Sequence, residues 1–328
     1  MIGEFDIIAR YFAPLTADFA GAFALGDDAA AYGGGDSVIT KDLLVEGVHF
    51  RAKDPLRLVA RKALRVNLSD LAAKGARPVA YLLGCVWPAG VSEEAIADFA
   101  AGLREDQDAF RIALIGGDTS VHRAKGAPLT ISVTMIGAQG SAGMIRRSGA
   151  RAGDDVYVSG TIGDACLGLA ALNGELKPAP AAKAFLTERF QIPSPRVALG
   201  GALGGCASAA IDVSDGVIAD AGHIADQSSV AIEIAAEKIP LSEAAKIWLS
   251  KEEDADAAIA RLASFGDDYE ILFTAPPSRR RSIEMASQLT KTPVARIGSV
   301  VKGAGVRLTG ADGKPIAVEA GGFDHFRK

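Results

Sequence analysis

The sequence predicts a protein of two domains in which helices and strands are mixed. Its 328 residues are enough for two domains, each able to bury a core of its own. Hydrophobic residues make up 49% of the chain and charged residues 23%, proportions that are typical of a globular protein. Helix-like and strand-like segments occur throughout the chain without a helical repeat, so a mixed fold is expected.

Hydrophobic spacing and local signals assign the elements of the first part of the chain. Pro55 can start a helix at its first position, and the apolar face of this helix continues toward Val66. Ser69 or Asp70 can then cap a second, short helix that Gly75 closes. The other predicted elements are a helix over 5–13, strands over 37–40, 79–86, 113–115 and 129–136, and a helix from 92 to about 110.

A change of composition between Ala138 and Gly153 marks the predicted domain boundary. Four glycines and the pair Arg146–Arg147 fall in this stretch, so residues 1–138 are assigned to an N-terminal domain and residues 139–328 to a C-terminal domain. Residues 177–195 hold four prolines and several charges, which indicates that part of this segment is a surface excursion or a flexible lid. The remaining elements are strands over 155–159, 209–211 and 269–274, helices over 163–172, 216–226 and 278–290, and short strands near the end.

Charge and cysteine usage argue against several classes of function. The formal net charge is −5 and there is no long basic run, which argues against nucleic acid or an anionic membrane as the main partner. The three cysteines are far apart and form no Cys-x-x-Cys pair, so neither a zinc ribbon nor a thioredoxin-like site is expected. The first residues do not resemble a signal peptide, and no stretch is apolar enough to span a bilayer. A soluble, cytoplasmic protein is expected.

Aspartate recurs at six separate places where an apolar stretch meets glycine or another small residue. These places are Gly26–Ala29, Thr40–Asp42, Asn67–Asp70, Gly116–Thr119, Asp212–Gly216 and Gly266–Glu270. Each has a structural explanation, because Gly-Asp pairs form turns and Ser-Asp pairs cap helices. Six such places together hold more carboxylates than capping requires, and carboxylate oxygens are the ligands that Mg²⁺ prefers. The pattern predicts a Mg²⁺-dependent phosphate site to which several distant segments contribute.

Other phosphate-binding and catalytic motifs do not occur in the sequence. There is no P-loop, no dinucleotide-binding glycine motif, no EF-hand loop and no Gly-x-Ser-x-Gly elbow. The four histidines show no metal-binding spacing, so each is interpreted as a surface or packing residue. The remaining interpretation is a Mg²⁺-dependent phosphate site formed by aspartates from distant segments.

Taken together, the aspartate segments resemble those of thiamine-monophosphate kinases. The matching segments run in the same order along nearly the whole chain, and include the first residues and the closing Phe323 segment. They are Gly3–Phe5, Gly26–Ala30, Asp42 with Val45–Phe50, Asn67–Ala76, Gly116–Thr119, Asp212–Gly216, Asp268–Glu270 and Gly322–Phe326. Aminoimidazole-ribonucleotide synthase, selenophosphate synthase and hydrogenase-maturation relatives share parts of this pattern. The segment 67–76 combined with the Phe323 segment favours the kinase.

The resemblance implies an α+β fold with two domains. The N-terminal mixed-sheet domain would bind ATP and Mg²⁺ and would form a homodimer through its sheet. The C-terminal three-layer α/β domain would complete the active site. The implied reaction is direct in-line transfer of the ATP γ-phosphoryl group to thiamine monophosphate, giving thiamine diphosphate and ADP.

The resemblance also implies roles for individual residues. Several Mg²⁺ ions would be held by Asp28, Thr40, Lys41, Asp42, Asp70, Asp118, Asp212 and Asp215, of which Asp42, Asp70, Asp118 and Asp215 form the catalytic set. ATP would contact Gly117, Asp118, Arg147 and Ser214, and thiamine monophosphate would contact His49, Asp267 and Phe323. Lys41 stands where a small hydroxyl residue is expected, so only its backbone carbonyl could bind a cation. Asp267 stands where Glu is expected, which keeps the charge and shortens the reach.

Three alternative functions remain open at the level of the sequence. One is another ATP-dependent synthase of the same superfamily, acting on an amide or a selenide; selenide chemistry would need a reactive cysteine in an N-terminal loop, where this chain has none. The second is a metal-dependent phosphatase that does not use ATP. The third is a nucleotide-binding regulator without catalytic activity.

Overall fold

The structure, a computed structural model, describes residues 6, 8–33 and 36–318, and two β-sheets dominate this range. The strands of the first sheet are β1 (Ala30–Tyr32), β2 (Ser37–Val45), β3 (Arg77–Pro88), β4 (Ala113–His122) and β5 (Thr130–Ala138). They are arranged in the order β1-β2-β5-β3-β4. β3 and β4 are parallel and the other neighbours are antiparallel, so the sheet is mixed, as expected for the N-terminal half.

One face of the first sheet is buried because its strands alternate between core and surface positions. On β5, Ile131, Val133 and Met135 are fully buried, whereas the residues that alternate with them are only half-buried. Two helices cover this face: α1 (Leu56–Ala73), which packs on β2 and β5, and α2 (Glu93–Phe110), which packs on α1. The Ser92 hydroxyl accepts a hydrogen bond from the Ala95 N–H, which confirms the predicted start of α2.

α1 is one continuous helix, and the prediction of a second helix capped by Ser69 or Asp70 is wrong. Val66 and Leu71 are both buried on either side of this pair, and their packing sustains the helix through the polar residues. Ser69 and Asp70 therefore lie inside α1 and cap no helix. The helix ends just before Gly75 as predicted, where a φ of +68° suits glycine.

The second sheet has six strands and lies in the second half of the chain. Its strands are β6 (Asp155–Ser159), β7 (Ala209–Asp212), β8 (Ala231–Ala235), β9 (Ile271–Ala275), β10 (Val294–Val301) and β11 (Gly305–Thr309). Their order is β11-β8-β10-β6-β9-β7, and only the pair β8–β11 is parallel. The segment from 139 to 154 contains no helix or strand and connects the two sheets.

Helices lie on both faces of the second sheet, which gives this half three layers. Val158 and Leu272 belong to one buried cluster, whereas their neighbours Tyr157 and Phe273 belong to another on the opposite face. The helices are α3 (Asp164–Asn173), α4 (Pro180–Gln191), α5 (Val197–Leu203), α6 (Val217–Ser228), α7 (Glu243–Leu249), α8 (Ala255–Ser264) and α9 (Arg280–Thr290). α6 contributes to the first cluster, and α5 and α9 contribute to the second.

The segment 177–195, part of which was predicted to be a surface excursion or a flexible lid, is mostly helical and partly exposed. Most of it forms α4, which starts at Pro180, a position where proline is tolerated. Leu186 and Phe190 are buried, and Arg189 donates to the carboxylate of Glu270 at 2.8 Å. The prolines therefore mark the two ends of a packed helix.

Several elements are longer than predicted or were missed. β2 and β4 continue well past the predicted 37–40 and 113–115, because pairing with neighbouring strands sustains them through polar residues. Five elements were not predicted: β1, α5, β8 and α7, which have seven residues or fewer, and the ten-residue α8, which packs with five buried residues. Within the described part of the chain, no helix is both long and apolar enough to cross a membrane.

The two halves pack closely where α1 meets the second sheet and its helices. α1 contacts β7, β9, α4 and α5. Gly200 on α5 lies so close to α1 that a Cβ placed there would be 1.9 Å from the Ala72 carbonyl oxygen. This close packing leaves a cleft between the two sheets, alongside α1.

Candidate active site

A cleft of about 1210 Å³ opens between the two halves of the molecule. Both halves line it with charged residues, which include Asp28, Asp42, His49, Asp70, Arg147, Asp212, Ser214, Asp215 and Asp267. Together with Lys41, ten of the predicted site residues therefore line one cleft, although some are far apart in sequence.

Three carboxylates converge at the base of the site. Asp28 precedes β1, Asp70 lies in α1 and Asp212 ends β7, and an oxygen from each lies within 4.8 Å of the others. The Thr40 hydroxyl donates to the Asp70 carboxylate from the neighbouring strand β2. Close packing of α1 against β7 is what joins residues from the two halves. The structure thus brings Asp28, Asp70 and Asp212 together, with Thr40 beside them.

The carboxylates have unusual pKa values because they share a buried space. Burial, followed by the charges of nearby aspartates, raises the pKa of Asp70 well above its usual range. The same two causes raise the pKa of Asp212 to about 8 and that of Asp42 to about 6. Without a cation, the site therefore carries less negative charge than its aspartates would have in water.

Asp28 behaves differently because two basic side chains contact it. Burial would raise its pKa, but Arg147 and Lys74 outweigh burial and hold the pKa below its usual value. Lys74 is fully buried, and its Nζ lies 2.7 Å from Asp27 Oδ1 and 2.5 Å from Asp28 Oδ2. Arg147 forms an ion pair with the other carboxylate oxygen of Asp28.

The cluster of three aspartates suits a hard divalent cation. Asp28, Asp70 and Asp212 offer oxygens close enough to share one ion, and a cation among them would oppose the charge repulsion that raises the pKa of Asp70 and Asp212. A second group lies beside the first: Asp215, Asp220 and His223 also have ligand atoms within 4.8 Å of one another. Asp220 additionally accepts a hydrogen bond from the Asp215 N–H, at 3.2 Å.

Successive side chains of β2 point to opposite faces of the sheet, so Thr40 and Asp42 lie on one face and Lys41 lies on the other. Thr40 is buried beside Asp70, and Asp42 is on the same side of β2. Lys41 lies between them and is exposed, and its Nζ donates to the Ser132 hydroxyl on β5 at 2.5 Å. The Lys41 side chain thus binds Ser132. The backbone carbonyl is the only part of Lys41 that is predicted to reach a cation.

Gly117 and Asp118 are not brought into the cleft by the fold of one chain. Both lie on β4, whose ten residues are all exposed, and neither lines the cleft. Asp118 Oδ1 accepts a hydrogen bond from the Thr119 N–H at 2.8 Å. Gly117 is needed for a local reason, because a Cβ there would be 1.9 Å from the Leu83 carbonyl oxygen.

Two of the predicted substrate residues, His49 and Asp267, line the same cleft. Asp267 has a φ of +68°, and its N–H donates to the Ser214 carbonyl at 2.9 Å, which ties its loop to that of Asp215. The His49 Nδ1 accepts a hydrogen bond from the Val45 N–H at 3.0 Å. Phe323 lies outside the described residues, as do the resembling segments Gly3–Phe5 and Gly322–Phe326.

Ser214 and Asp215 do not cap the following helix as their residue types suggested. The N-cap of α6 is Gly216, at a φ of +109°, and it makes no side-chain cap. Ser214 and Asp215 are therefore placed in the loop that lines the cleft, beside Asp267.

Besides Asp220 and His223 of the second group, three charged residues that shape the site were not predicted: Asp27, Lys62 and Lys74. Asp27 accepts from Lys74 and also from Arg146, at 2.8 Å. The two lysines lie in or next to α1, whose other residues from Val59 onward are mostly buried. A lysine among so many core positions was the available signal, because a fully buried lysine needs a partner.

Comparison with known proteins shows to which protein family the chain belongs. Residues 26–139 match the family described as AIR synthase related protein, N-terminal domain, and residues 151–311 match its C-terminal domain. A thiamine-monophosphate kinase of Caulobacter vibrioides is 44% identical over 92% of this chain and 85% of its own length. The Escherichia coli K12 enzyme of the same name is 37% identical over 99% and 98% of the two chains. The chain belongs to the thiamine-monophosphate kinase family.

A solved structure gives the same result for the fold. The chain of "AaThiL complexed with AMPPCP and TMP" has a TM-score of 0.83 and 32% identity, and the alignment covers 99% of this chain and 97% of that one. The thiamine-monophosphate kinase from Stenotrophomonas maltophilia K279a has a TM-score of 0.77 at 37% identity, covering 94% and 98%. The predicted α+β fold of two different halves is confirmed.

Proposed function

We propose that the protein transfers the γ-phosphoryl group of ATP to thiamine monophosphate, giving thiamine diphosphate and ADP. The observation that carries this proposal is the cleft in which Asp28, Asp70 and Asp212 converge, in a chain of the thiamine-monophosphate kinase family. A relative with the same fold binds AMPPCP and TMP together, which supports ATP and thiamine monophosphate as the two ligands.

Mg²⁺ is the cation that the carboxylate groups fit best. Asp28, Asp42, Asp70, Asp212 and Asp215 would hold it, with Thr40 and the Lys41 carbonyl beside them. Bound Mg²⁺ ions neutralise phosphate charge and stabilise the charge that develops on the transferred group. Oxygen ligands of this kind suit Mg²⁺ better than softer metals.

The chain's own residues then have to bind and orient two anions rather than create a nucleophile. The acceptor oxygen belongs to a phosphate monoester, whose second pKa is about 6, so it is largely ionised at neutral pH. No general base is required, and the aspartates serve as ligands. Arg147 and Ser214 line the same cleft and would orient the nucleotide phosphates, while His49 and Asp267, which also line it, would contact thiamine monophosphate.

A single assay tests this function against its alternatives. ADP release from ATP is measured with and without thiamine monophosphate, and the product is identified as thiamine diphosphate. ADP release that is independent of thiamine monophosphate would contradict the proposal. Phosphate release from thiamine monophosphate without ATP would indicate a phosphatase, and no turnover would indicate a regulator.

We also propose that two copies of the chain pair through their first sheets. The β4 strand presents exposed apolar side chains, among them Leu114, Ile115 and Val121, and Leu82 of β3 is exposed beside them. An exposed apolar edge of this kind is typical of an interface. Pairing would explain why Gly117 and Asp118, on the same strand, lie away from the cleft of their own chain. A cytoplasmic location stays a prediction.

A further inference from the structure

Lys62 is a buried cation in contact with His49 and Asp267, the residues proposed to bind thiamine monophosphate. Its residue is 1% exposed, and it lies in α1, eight residues before Asp70. At 1.5 Å per residue, that separation is about 12 Å along the helix axis. α1 therefore carries a carboxylate of the metal group in one place and a buried ammonium group about two turns away.

The ammonium group of Lys62 connects three separate segments of the chain. Its Nζ donates to the His49 carbonyl at 2.9 Å and to Asp267 Oδ2 at 3.1 Å. It also lies 4.0 Å from the centre of the Phe190 ring, and Phe190 lines the cleft. His49 lies in the loop after β2, Asp267 lies in the loop before β9, and Phe190 lies in α4. One side chain therefore joins both halves of the molecule.

The contacts of Asp267 explain why such a connection is needed. Its backbone lies in the left-handed region, at a φ of +68°, and its side chain is 23% exposed. The preceding Gly266 packs so tightly on the loop of Asp215 that a Cβ would be 1.9 Å from the Ser214 carbonyl oxygen. The backbone is therefore fixed, and Lys62 fixes the direction of the carboxylate. Charge-assisted hydrogen bonds of this kind are short and directional.

We propose that Lys62 is a positioning residue for thiamine monophosphate, acting through Asp267 and the His49 carbonyl. This inference rests on the proposed function. Lys62 holds the shorter Asp267 side chain against α1, so that the carboxylate lines the cleft in one orientation. It also balances the charge of Asp267, and a bound substrate meets a neutral pair rather than a lone anion.

The test compares the affinity for thiamine monophosphate among Lys62→Met, Asp267→Asn and the double variant. Affinity is measured by titration calorimetry in the presence of saturating AMPPCP and Mg²⁺, and the KM for ATP is measured separately. Lys183→Met is the control, because Lys183 is exposed on α4, the helix that also carries Phe190. Melting temperatures are recorded for every variant.

The expected result is a loss of affinity for thiamine monophosphate of about tenfold or more in Lys62→Met, with the KM for ATP changed less than about threefold. Because the two residues act as one unit, the double variant should bind no more weakly than the weaker single variant. Lys183→Met should bind as the wild type does. A folded Lys62→Met variant with wild-type affinity would overturn the proposal, and so would losses that multiply in the double variant.

The design separates this inference from the proposed function. If Lys62→Met does not fold, the double variant still tests the idea, because it removes both charges and leaves neither one buried alone. It is then compared with Asp267→Asn, and a further loss of about tenfold would overturn the positioning role. If the wild type does not convert thiamine monophosphate to thiamine diphosphate, the proposed function itself fails.

Discussion

At the scale of one residue, Asp70 is expected to lower the stability of the metal-free protein while it serves as a metal ligand. Its pKa is raised by burial and by the charges of Asp42 and Asp212, so holding it ionised in the metal-free protein costs free energy. Asp70→Asn removes that charge at nearly constant size. We expect the metal-free variant to melt higher than the metal-free wild type at pH 8, while kcat falls by about two orders of magnitude or more.

The two readouts for Asp70→Asn are a melting curve in EDTA and turnover at saturating Mg²⁺. Near-normal turnover would contradict the assignment of Asp70 as a metal ligand. A lower melting temperature in EDTA would show instead that Asp70 stabilises the fold through its hydrogen bond with Thr40.

The raised pKa values also predict how stability varies with pH. Asp212, with a pKa of about 8, keeps its proton in the folded protein at pH values where the unfolded chain, with a pKa of 3.8, has lost it. The folded state then binds more protons than the unfolded state, so metal-free stability falls as pH rises from about 4 to about 8. Excess Mg²⁺ favours the ionised form and should flatten this dependence. Thermal melting in EDTA and in Mg²⁺ between pH 5 and 8 measures it.

Asp212→Asn provides the matched variant for the pH experiment. Its metal-free melting temperature should vary less with pH than that of the wild type, because one of the raised groups is gone. A wild-type protein whose metal-free stability increases between pH 5 and 8 would contradict the proposed origin of the shifts.

Arg147 is predicted to serve the nucleotide rather than thiamine monophosphate. In the structure its guanidinium group pairs with Asp28, one of the three converging carboxylates. The loss of a charge-assisted contact to a phosphate costs about 1.5–3 kcal/mol, so Arg147→Ala should raise the KM for ATP by about tenfold or more. Steady-state kinetics with each substrate varied in turn measures this, and a rise confined to the KM for thiamine monophosphate would assign Arg147 to the other ligand.

At the scale of the elements, the sequence patterns predict that aspartates form the site, but they do not predict where in the strands and helices each aspartate lies. The aspartates were expected at the ends of strands and helices, and Asp28, Asp212 and Asp215 do lie at ends or in loops. Asp42 and Asp70, however, lie within β2 and α1. Local signals favoured a break in α1 at Ser69, and long-range packing overrode them. The burial of Lys62 and Lys74 likewise depends on partners more than forty residues away in sequence.

The packing of α5 against α1 predicts opposite effects for two adjacent glycines. A Cβ at Gly200 would be 1.9 Å from the Ala72 carbonyl oxygen, whereas a Cβ at Gly201 would meet no atom within 4 Å. Overpacking costs about 1–3 kcal/mol, so Gly200→Ala should lower the melting temperature by several degrees. Gly201→Ala should leave it unchanged or raise it, because alanine favours helix by up to about 1 kcal/mol. Equal melting temperatures for the two variants would contradict the close packing of the two halves.

At the scale of the whole molecule, the proposed pairing through the first sheet predicts a mass and a variant that changes it. Light scattering at micromolar concentration should give the mass of a dimer. Ile115→Lys, which places a charge on the exposed apolar face of β4, should give a monomer. Leu289→Lys is the control, because Leu289 is 81% exposed on α9, a helix that packs on the second sheet rather than the first. A monomeric wild type would contradict the pairing.

The position of Asp118 predicts that each active site draws on both copies of the chain. Asp118→Asn and Asp70→Asn are each expected to be inactive alone. If Asp118 serves the cleft of the partner, a mixed dimer of the two variants contains one site with an intact Asp70 and an intact Asp118. Unfolding and refolding an equimolar mixture should then restore about a quarter of wild-type activity, because about half of the dimers are mixed and each has one intact site. If Asp118 serves its own chain, every site in the mixture carries a substitution, and no activity returns.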